Sequence, residues 1–314
     1  MGKYTLKVCG YCGKMRPGRG RDFCSIPCSN KSRARDKLKL ATEPFNMSFR
    51  EELEPVAPHL NVEADICFVI GDAHIPFHNR TWLKRLMLLG SKRKAENPDK
   101  IIKLVINGDL LNADFIGRHG QTQDNSFKRA LKDCAHLMDS LICVFDEIIW
   151  TCGNHEDRFA RVMDRLLGFS ELGKMVKNRQ VNGKWDDIKL SGHNFSIIND
   201  TWMAVHPQNY SKVQTRVATN YAKRWKINTI CNHEHHPFGF ARTECGDYFG
   251  VMCGMICDPR FMGYKTGVRN LFPEWENGFV ELEKYNNQTH FTGYDDKNTI
   301  WERVLQGVEW PTTK

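Results

Sequence analysis

From residue 65 onward, short apolar runs alternate with longer stretches of helical period. ICFVIGD (66–72) and IIKLVINGD (101–109) are continuous apolar runs that end in Gly-Asp, and EIIWTCGNH (147–155) is a third run leading into a loop. Runs of this length read as buried strands. Between them, Arg80 to Asn97 places Leu83, Leu86, Met87 and Leu89 at helical spacing, and Phe127 to Phe145 carries Leu131, Ala135, Met138 and Ile142 on one stripe. The second half alternates faster. FSIIND and TWMAVH predict a hairpin turning at Asn199–Asp200, and Ser211 to Trp225 predicts a helix followed by the strand INTICNH. Two further hairpins are expected, turning near Gly246–Asp247 and at Asn286–Asn287. Strand–helix alternation followed by hairpins implies an α/β (α+β) fold with helices packed outside a mixed sheet core.

Upstream the pattern is lost. Residues 41–64 contain Pro44, Pro55 and Pro58 without clear periodicity and read as a linker between a small module, 1–40, and a large domain, 65–314. Charge divides the chain at the same place. Residues 1–40 hold eleven Lys or Arg against Asp22 and Asp36, so they carry the whole net charge of +8 and leave the remainder near neutral. A localised basic patch suits a polyanionic partner, and a solvated tail is the alternative. No apolar run approaches the roughly 20 residues that a membrane helix requires, and the N-terminus lacks an apolar signal core. The expectation is a soluble, cytoplasmic protein with no membrane partner. On that footing the eight cysteines after residue 40 are expected to be buried thiols rather than disulfides.

The polar motifs fall at the ends of the predicted strands: Gly71-Asp72-Ala73-His74, Gly108-Asp109, Gly153-Asn154-His155-Glu156, His206, and His233-Glu234-His235. Ligands of α/β sheets gather beyond the carboxyl ends of strands. A carboxylate can bridge two divalent ions, and imidazoles suit Mn, Fe, Zn or Ni. Two such ions can bind a phosphoryl group and activate a water. Singly each fragment is weak; their order and repeated placement carry the signal.

The series GDAH, GD, GNHE, H, NHEH resembles the calcineurin-like metallophosphoesterase superfamily over about residues 65–282. The resemblance implies a β-sandwich flanked by helices. It also implies two divalent ions, Mn ahead of Fe, Zn, Ni or Mg: one on Asp72, His74 and His235, the other on Asn154, His206 and His233, with Asp109 between them. It assigns His155 to phosphoryl oxygens or the leaving group. The chain departs from the pattern at Asn232, at Glu156 and at Asn112-Ala113, where the repair-exonuclease and protein-phosphatase branches carry other residues. Arg118, His119 and Arg158, with His78, lie close to the motifs and are candidates for phosphate contact; for Arg158, pairing with an acid such as Glu156 is slightly preferred. His236 reads as a neighbour of the ligands, and Trp275 and Trp301 as packing residues.

In the basic module, Cys9-x-x-Cys12 and Cys24-x-x-x-Cys28 have the pair–spacer–pair spacing of one tetrahedral zinc. The segment resembles small treble-clef zinc fingers. Lys31, Arg33, Arg35, Lys37 and Lys39 follow and would make a basic helical rod for phosphates. Packing on the body as a stapled cap, or dimerisation, is the alternative. Nucleic acid, DNA first, is the expected partner, and the chain is expected to be a nuclease delivered by its finger. A phosphatase or phosphodiesterase acting on nucleotides or phosphoproteins, and a non-catalytic nucleic-acid-binding protein, remain as alternatives.

Overall fold

The chain divides into two compact units, Met1–Ala57 and Pro58–Lys314. The computed structural model describes residues 6–9, 12, 14–17, 28, 31, 59–114, 126–162, 167–181, 185–261 and 275–307. In the first unit, β1 (Leu6–Val8) and β2 (Met15–Pro17) pair antiparallel, with Val8 opposite Met15. The Cys9 N–H closes the turn on the Lys14 carbonyl at 3.0 Å.

The second unit contains β3 (Asn61–Val62), β4 (Ile66–Ile70), α1 (Arg80–Glu96), β5 (Ile102–Asn107), α2 (Phe127–Leu141), β6 (Glu147–Thr151), α3 (Asn154–Val162) and α4 (Phe169–Lys177). It continues with β7 (Ile188–Ser191), β8 (Phe195–Ile198), β9 (Trp202–Val205), α5 (Arg216–Trp225), β10 (Asn228–Cys231), β11 (Gly239–Arg242), β12 (Phe249–Met252), β13 (Gly278–Tyr285), β14 (Gln288–Asp295) and α6 (Trp301–Val304). Two six-stranded mixed sheets result, ordered β14-β13-β4-β5-β6-β7 and β11-β12-β10-β9-β8-β3. The expected sandwich with helices outside it is therefore present. No helix among the described residues is long and apolar enough to cross a membrane.

Period-2 alternation assigns each apolar strand to two cores. In β4, Ile66, Phe68 and Ile70 face α1 and α2, where they join Trp82, Leu86 and Met138. Cys67 and Val69 face the other way and meet Trp202, Ile230 and Val251 of the second sheet. All five are buried, and each large side chain removed from water contributes about 1.5–3 kcal/mol. A third apolar cluster puts Val217 and Ala218 of α5 against Met203 and Cys231. Helix α1 starts at Asn79, whose side chain accepts the Thr81 and Trp82 N–H groups at 3.1 and 3.4 Å, a cap worth about 1 kcal/mol.

Four expectations shift. Asn61–Val62, inside the stretch read as linker, pairs parallel with β8; residues 41–58 lie outside the described residues. The predicted helix to Phe145 ends at Leu141, where the chain turns so that Asp146 accepts the Ile102 N–H at 2.8 Å. The loop expected after the third strand is the start of α3. The helix expected from Ser211 begins at Arg216. The three hairpins are in place. At their turns Asn199, Asp200, Asn286 and Asn287 adopt positive φ, which Asn and Asp tolerate best among residues other than Gly.

Candidate metal centre

Strands β4, β5 and β6 run parallel in neighbouring positions, so their carboxyl ends share one edge of the sheet. That edge presents Asp72, Asp109 and Asn154. The second sheet contributes the ends of β9 and β10, which are also parallel, and with them His206, His233 and His235. Two side chains tie the facing edges together. Asn107 donates to the Val205 carbonyl at 2.8 Å and to Asn232 Oδ1 at 2.9 Å, and Asn232 donates to the Gly254 carbonyl at 3.0 Å. Asn232, which departs from the resemblance, thus pins one sheet to the other.

The backbone at the site is held in a demanding conformation. Asp72, His74, Asp109, His233 and His235 have φ of 52, 47, 49, 79 and 57°. A left-handed residue other than Gly costs on the order of 1–3 kcal/mol, so the surroundings must hold it there. Glu156 supplies part of that hold. Its carboxylate is buried and accepts the N–H groups of Asp109, Leu111 and Gly153 at 2.9–3.0 Å. The close approach also requires glycine: a Cβ on Gly153 would lie 2.2 Å from both Asp109 N and Asp109 Oδ1.

Two groups of donor atoms converge. In the first, His74 Nε2 and His235 Nε2 are 3.2 Å apart, and Asp72 Oδ1 stands 3.3 Å from His235 Nε2 and 3.9 Å from His74 Nε2. Asp72 Oδ1 is buried and has no hydrogen-bond partner among the described residues. In the second, Asp109, His206 and His233 gather their ligand atoms within 4.8 Å, and Asn154 Oδ1 lies 3.0 Å from His206 Nε2. Asp109 Oδ2 is 4.0 Å from His74 Nε2 and 3.4 Å from His206 Nε2, which places it between the groups. Bonds of about 2.0–2.1 Å in a tetrahedron set ligand atoms about 3.3 Å apart, close to the spacing of the first group. Converging nitrogens with an orphaned carboxylate oxygen fit a cation; without one, that oxygen would be an uncompensated buried acceptor.

The electrostatics agree. Burial opposes ionisation of Asp72 most strongly, but the His235 and His206 imidazoles together outweigh it and hold the carboxyl at about 2. Asp109 is likewise held well below the usual range, burial being outweighed by His206 and His155. Burial drives His74 well down and His233 to about 4, leaving neutral imidazoles. His206 is the exception: burial lowers it, yet the Asp109 carboxylate pushes it up to about 10. Its Nδ1 lies 2.9 Å from the Asn107 carbonyl, an acceptor, so Nδ1 carries the proton and Nε2 is the atom available to a metal.

His155 sits in the same group as His74 and Asp109. The Ala113 N–H donates to His155 Nδ1 at 3.0 Å, so the proton of the neutral ring is on Nε2. Nε2 lies 3.9 Å from Asp109 Oδ2 and 3.8 Å from Asp114 Oδ1. Asp114 escaped the sequence reading because it belongs to no motif. Arg158 pairs with Asp114 at 3.3 Å and not with Glu156, whose oxygens the backbone occupies. A cleft of about 230 Å³ opens over these groups, lined also by Tyr210 and Trp275. Trp275 packs on Met255 and Cys257, as expected, and also stands edge-on to His235 with ring centroids 4.4 Å apart. Trp301 does lie in the core, against Trp82 and Phe279. His236 is turned away, 2.8 Å from the Ser211 carbonyl. Arg118 and His119 lie outside the described residues.

In the first unit, Cys9, Cys12 and Cys28 bring their sulfurs within 4.8 Å of one another. Cys24, Arg33, Arg35, Lys37 and Lys39 lie outside the described residues, and Lys31 is exposed. Three thiols at this spacing fit zinc.

No family model and no curated protein sequence matches the chain. Among solved structures it is similar to Vps29 of Entamoeba histolytica complexed with Zn2+, at 13% identity and a TM-score of 0.35 over 73% of this chain and 98% of that one. Vps29 of Chaetomium thermophilum gives 12% and 0.36 over 73% and 94%. A 5'-nucleotidase precursor from Thermus thermophilus gives 11% and 0.34 over 74% of this chain and 54% of that one.

Proposed function

We propose that the chain is a two-metal phosphoester hydrolase that cleaves nucleic-acid phosphodiesters. The observation that carries the reading is Asp109 lying between two donor groups, one at the ends of β4 and β10 and the other at the ends of β6, β9 and β10. Asp72, His74 and His235 would hold one divalent cation and Asn154, His206 and His233 the other, with Asp109 shared. Imidazole donors suit Zn, Fe or Ni and carboxylate and amide oxygens suit Mn or Mg, so the mixed set accommodates any of these, and Mn is the ion tried first. Such a pair, when bound, supplies a lowered water pKa and charge stabilisation at the phosphoryl group.

The protein's own groups supply the remainder. His155 holds its proton on Nε2, where it is offered to a phosphoryl or leaving-group oxygen. The Asp114–Arg158 pair lines the same cleft, and its guanidinium can exchange the carboxylate for a phosphate, matching it with two parallel N–H bonds. The basic first unit, with a zinc on Cys9, Cys12, Cys24 and Cys28, supports a nucleic-acid substrate over a small one. The test is turnover of bis(p-nitrophenyl) phosphate and of a single-stranded oligonucleotide in Mn by wild type and Asp109→Asn. Both substrates should be cleaved by wild type only. No turnover of any ester with Mn, Fe, Zn, Ni or Mg would remove the proposal.

A second reading, a phosphatase or phosphodiesterase acting on nucleotides, draws on the modest size of the cleft and its Tyr210 and Trp275 rings. Turnover of nucleoside monophosphates with no oligonucleotide cleavage would select it.

A further inference from the structure

A second cleft, of about 420 Å³, opens between the start of α1, the start of α2 and the 3-10 turn Pro259–Phe261. Among the described residues its walls carry Arg80, Arg129, Arg260 and His78 against a single acid, Asp258. Two phenylalanines interleave with these cations: Phe77 and Phe261 are stacked at 6.2 Å and 16°, and Phe261 is 43% exposed. We propose that this cleft binds the backbone and bases of a single-stranded nucleic acid running to or from the metal centre. The proposal rests on the phosphodiester reading above and adds a binding site outside the metal cleft.

The two clefts share a wall. Phe77 of this cleft and Trp275 of the metal cleft pack on the same pair, Met255 and Cys257. The Phe77 N–H donates to the carbonyl of His74, a candidate ligand, at 2.8 Å, and the Asp258 N–H donates to the Phe77 carbonyl at 2.7 Å. A strand that leaves a phosphate at the metals therefore meets arginines and the partly exposed Phe261 ring next. Stacking on aromatic rings inside a basic groove is how proteins hold single strands without reading sequence.

The placement of the arginines supports a ligand more than a structural role. Arg80 is the first residue of α1 and Arg129 stands in the first turn of α2, and neither first turn contains an acid. A cation there opposes the helix dipole, which favours anions at that end. The local partner of Arg129 is loose: it reaches Asp133 at 3.6 Å with its side chain 66% exposed, and an exposed pair of this kind contributes little to folding and rearranges readily. Arg260 is held more firmly, its Nε donating to both oxygens of the buried Asp258 at 2.9 and 3.1 Å, yet 82% of its side chain remains exposed at the cleft. His78 Nδ1 is buried with no hydrogen-bond partner among the described residues.

The dipole argument makes the test selective, because Arg80→Glu replaces an unfavourable charge at the helix start with a favourable one. The full chain and its R80E/R129E variant are titrated against a fluorescein-labelled phosphorothioate oligonucleotide of roughly 12 nucleotides, a length within the usual range of strand sites. Anisotropy is read across a KCl series. Removing two phosphate contacts should raise Kd at least tenfold and lower the salt slope by about 1.4. The thermal midpoint should change little, because the gain of acids at two helix starts offsets the lost Arg129–Asp133 pair. An unchanged Kd and slope would overturn the proposal. So would equal weakening of a poly-glutamate peptide of matched charge, because the rings then play no part. Turnover of bis(p-nitrophenyl) phosphate by wild type reads the hydrolase proposal separately. If it fails while the oligonucleotide result holds, the cleft stands and the chemistry does not.

Discussion

At the scale of single residues, His155 and Gly153 separate chemistry from support. His155 receives the Ala113 N–H on Nδ1 and so offers its proton only from Nε2. If that proton serves the reaction, His155→Ala should lower kcat for a phosphodiester by about a hundredfold or more. Bound Mn, counted by mass spectrometry of the purified variant, should stay the same. Loss of metal in step with activity would reassign His155 to metal holding. Gly153→Ala should act the other way. Its Cβ has no room beside Asp109 N and Oδ1, and overpacking of this kind costs roughly 1–3 kcal/mol. Urea unfolding should register that cost, and Mn affinity by calorimetry should fall because Asp109 must shift. Neither quantity moving would show that the Asp109 turn yields freely.

At the scale of elements, legibility followed burial. β4, β5 and β6 were readable because both faces are covered, which forces continuous apolar runs. Their motifs were readable because parallel neighbours put their ends on one edge. Helix α3 was not. Its buried residues are His155, Glu156 and Phe159, so the face that would carry an apolar stripe carries site residues. β3 hid in a proline-rich stretch because only Val62 of its two residues is buried. Trp275 lies near the metal motifs only in space, and Asp114, although five residues after Asp109, has no place in the motif pattern that would mark it. Glu156 reads in the sequence as a departure from the resemblance and as an acid for Arg158, yet it joins the first turn of α3 to the turn after β5. Glu156→Ala would leave three backbone N–H groups without their acceptor, and an unsatisfied buried donor costs about 1–3 kcal/mol. The variant should lose about 3 kcal/mol or more in urea unfolding. A loss under about 1 kcal/mol would mean that water replaces the carboxylate there.

At the scale of the whole molecule, the net charge of +8 poses the question, since residues 1–40 carry all of it. A unit near neutrality gains little steering toward a polyanion, whereas a short basic segment preceding it in sequence would supply attraction that salt screens. A segment this short has little room for an apolar core, so a zinc on its cysteines would contribute most of its folding free energy, roughly 10–16 kcal/mol in zinc-finger peptides. Cys9→Ser with Cys12→Ser should therefore remove one zinc per chain, read by mass spectrometry. It should leave turnover of bis(p-nitrophenyl) phosphate intact. If the first unit delivers nucleic acid, KM for an oligonucleotide at low salt should rise severalfold with kcat unchanged, and the gap between variant and wild type should close as KCl is raised. A first unit that only caps the second would give a different result: lower thermal stability and equal losses on both substrates at every salt concentration. The salt dependence decides between them, because screening weakens a phosphate contact and leaves an apolar one in place.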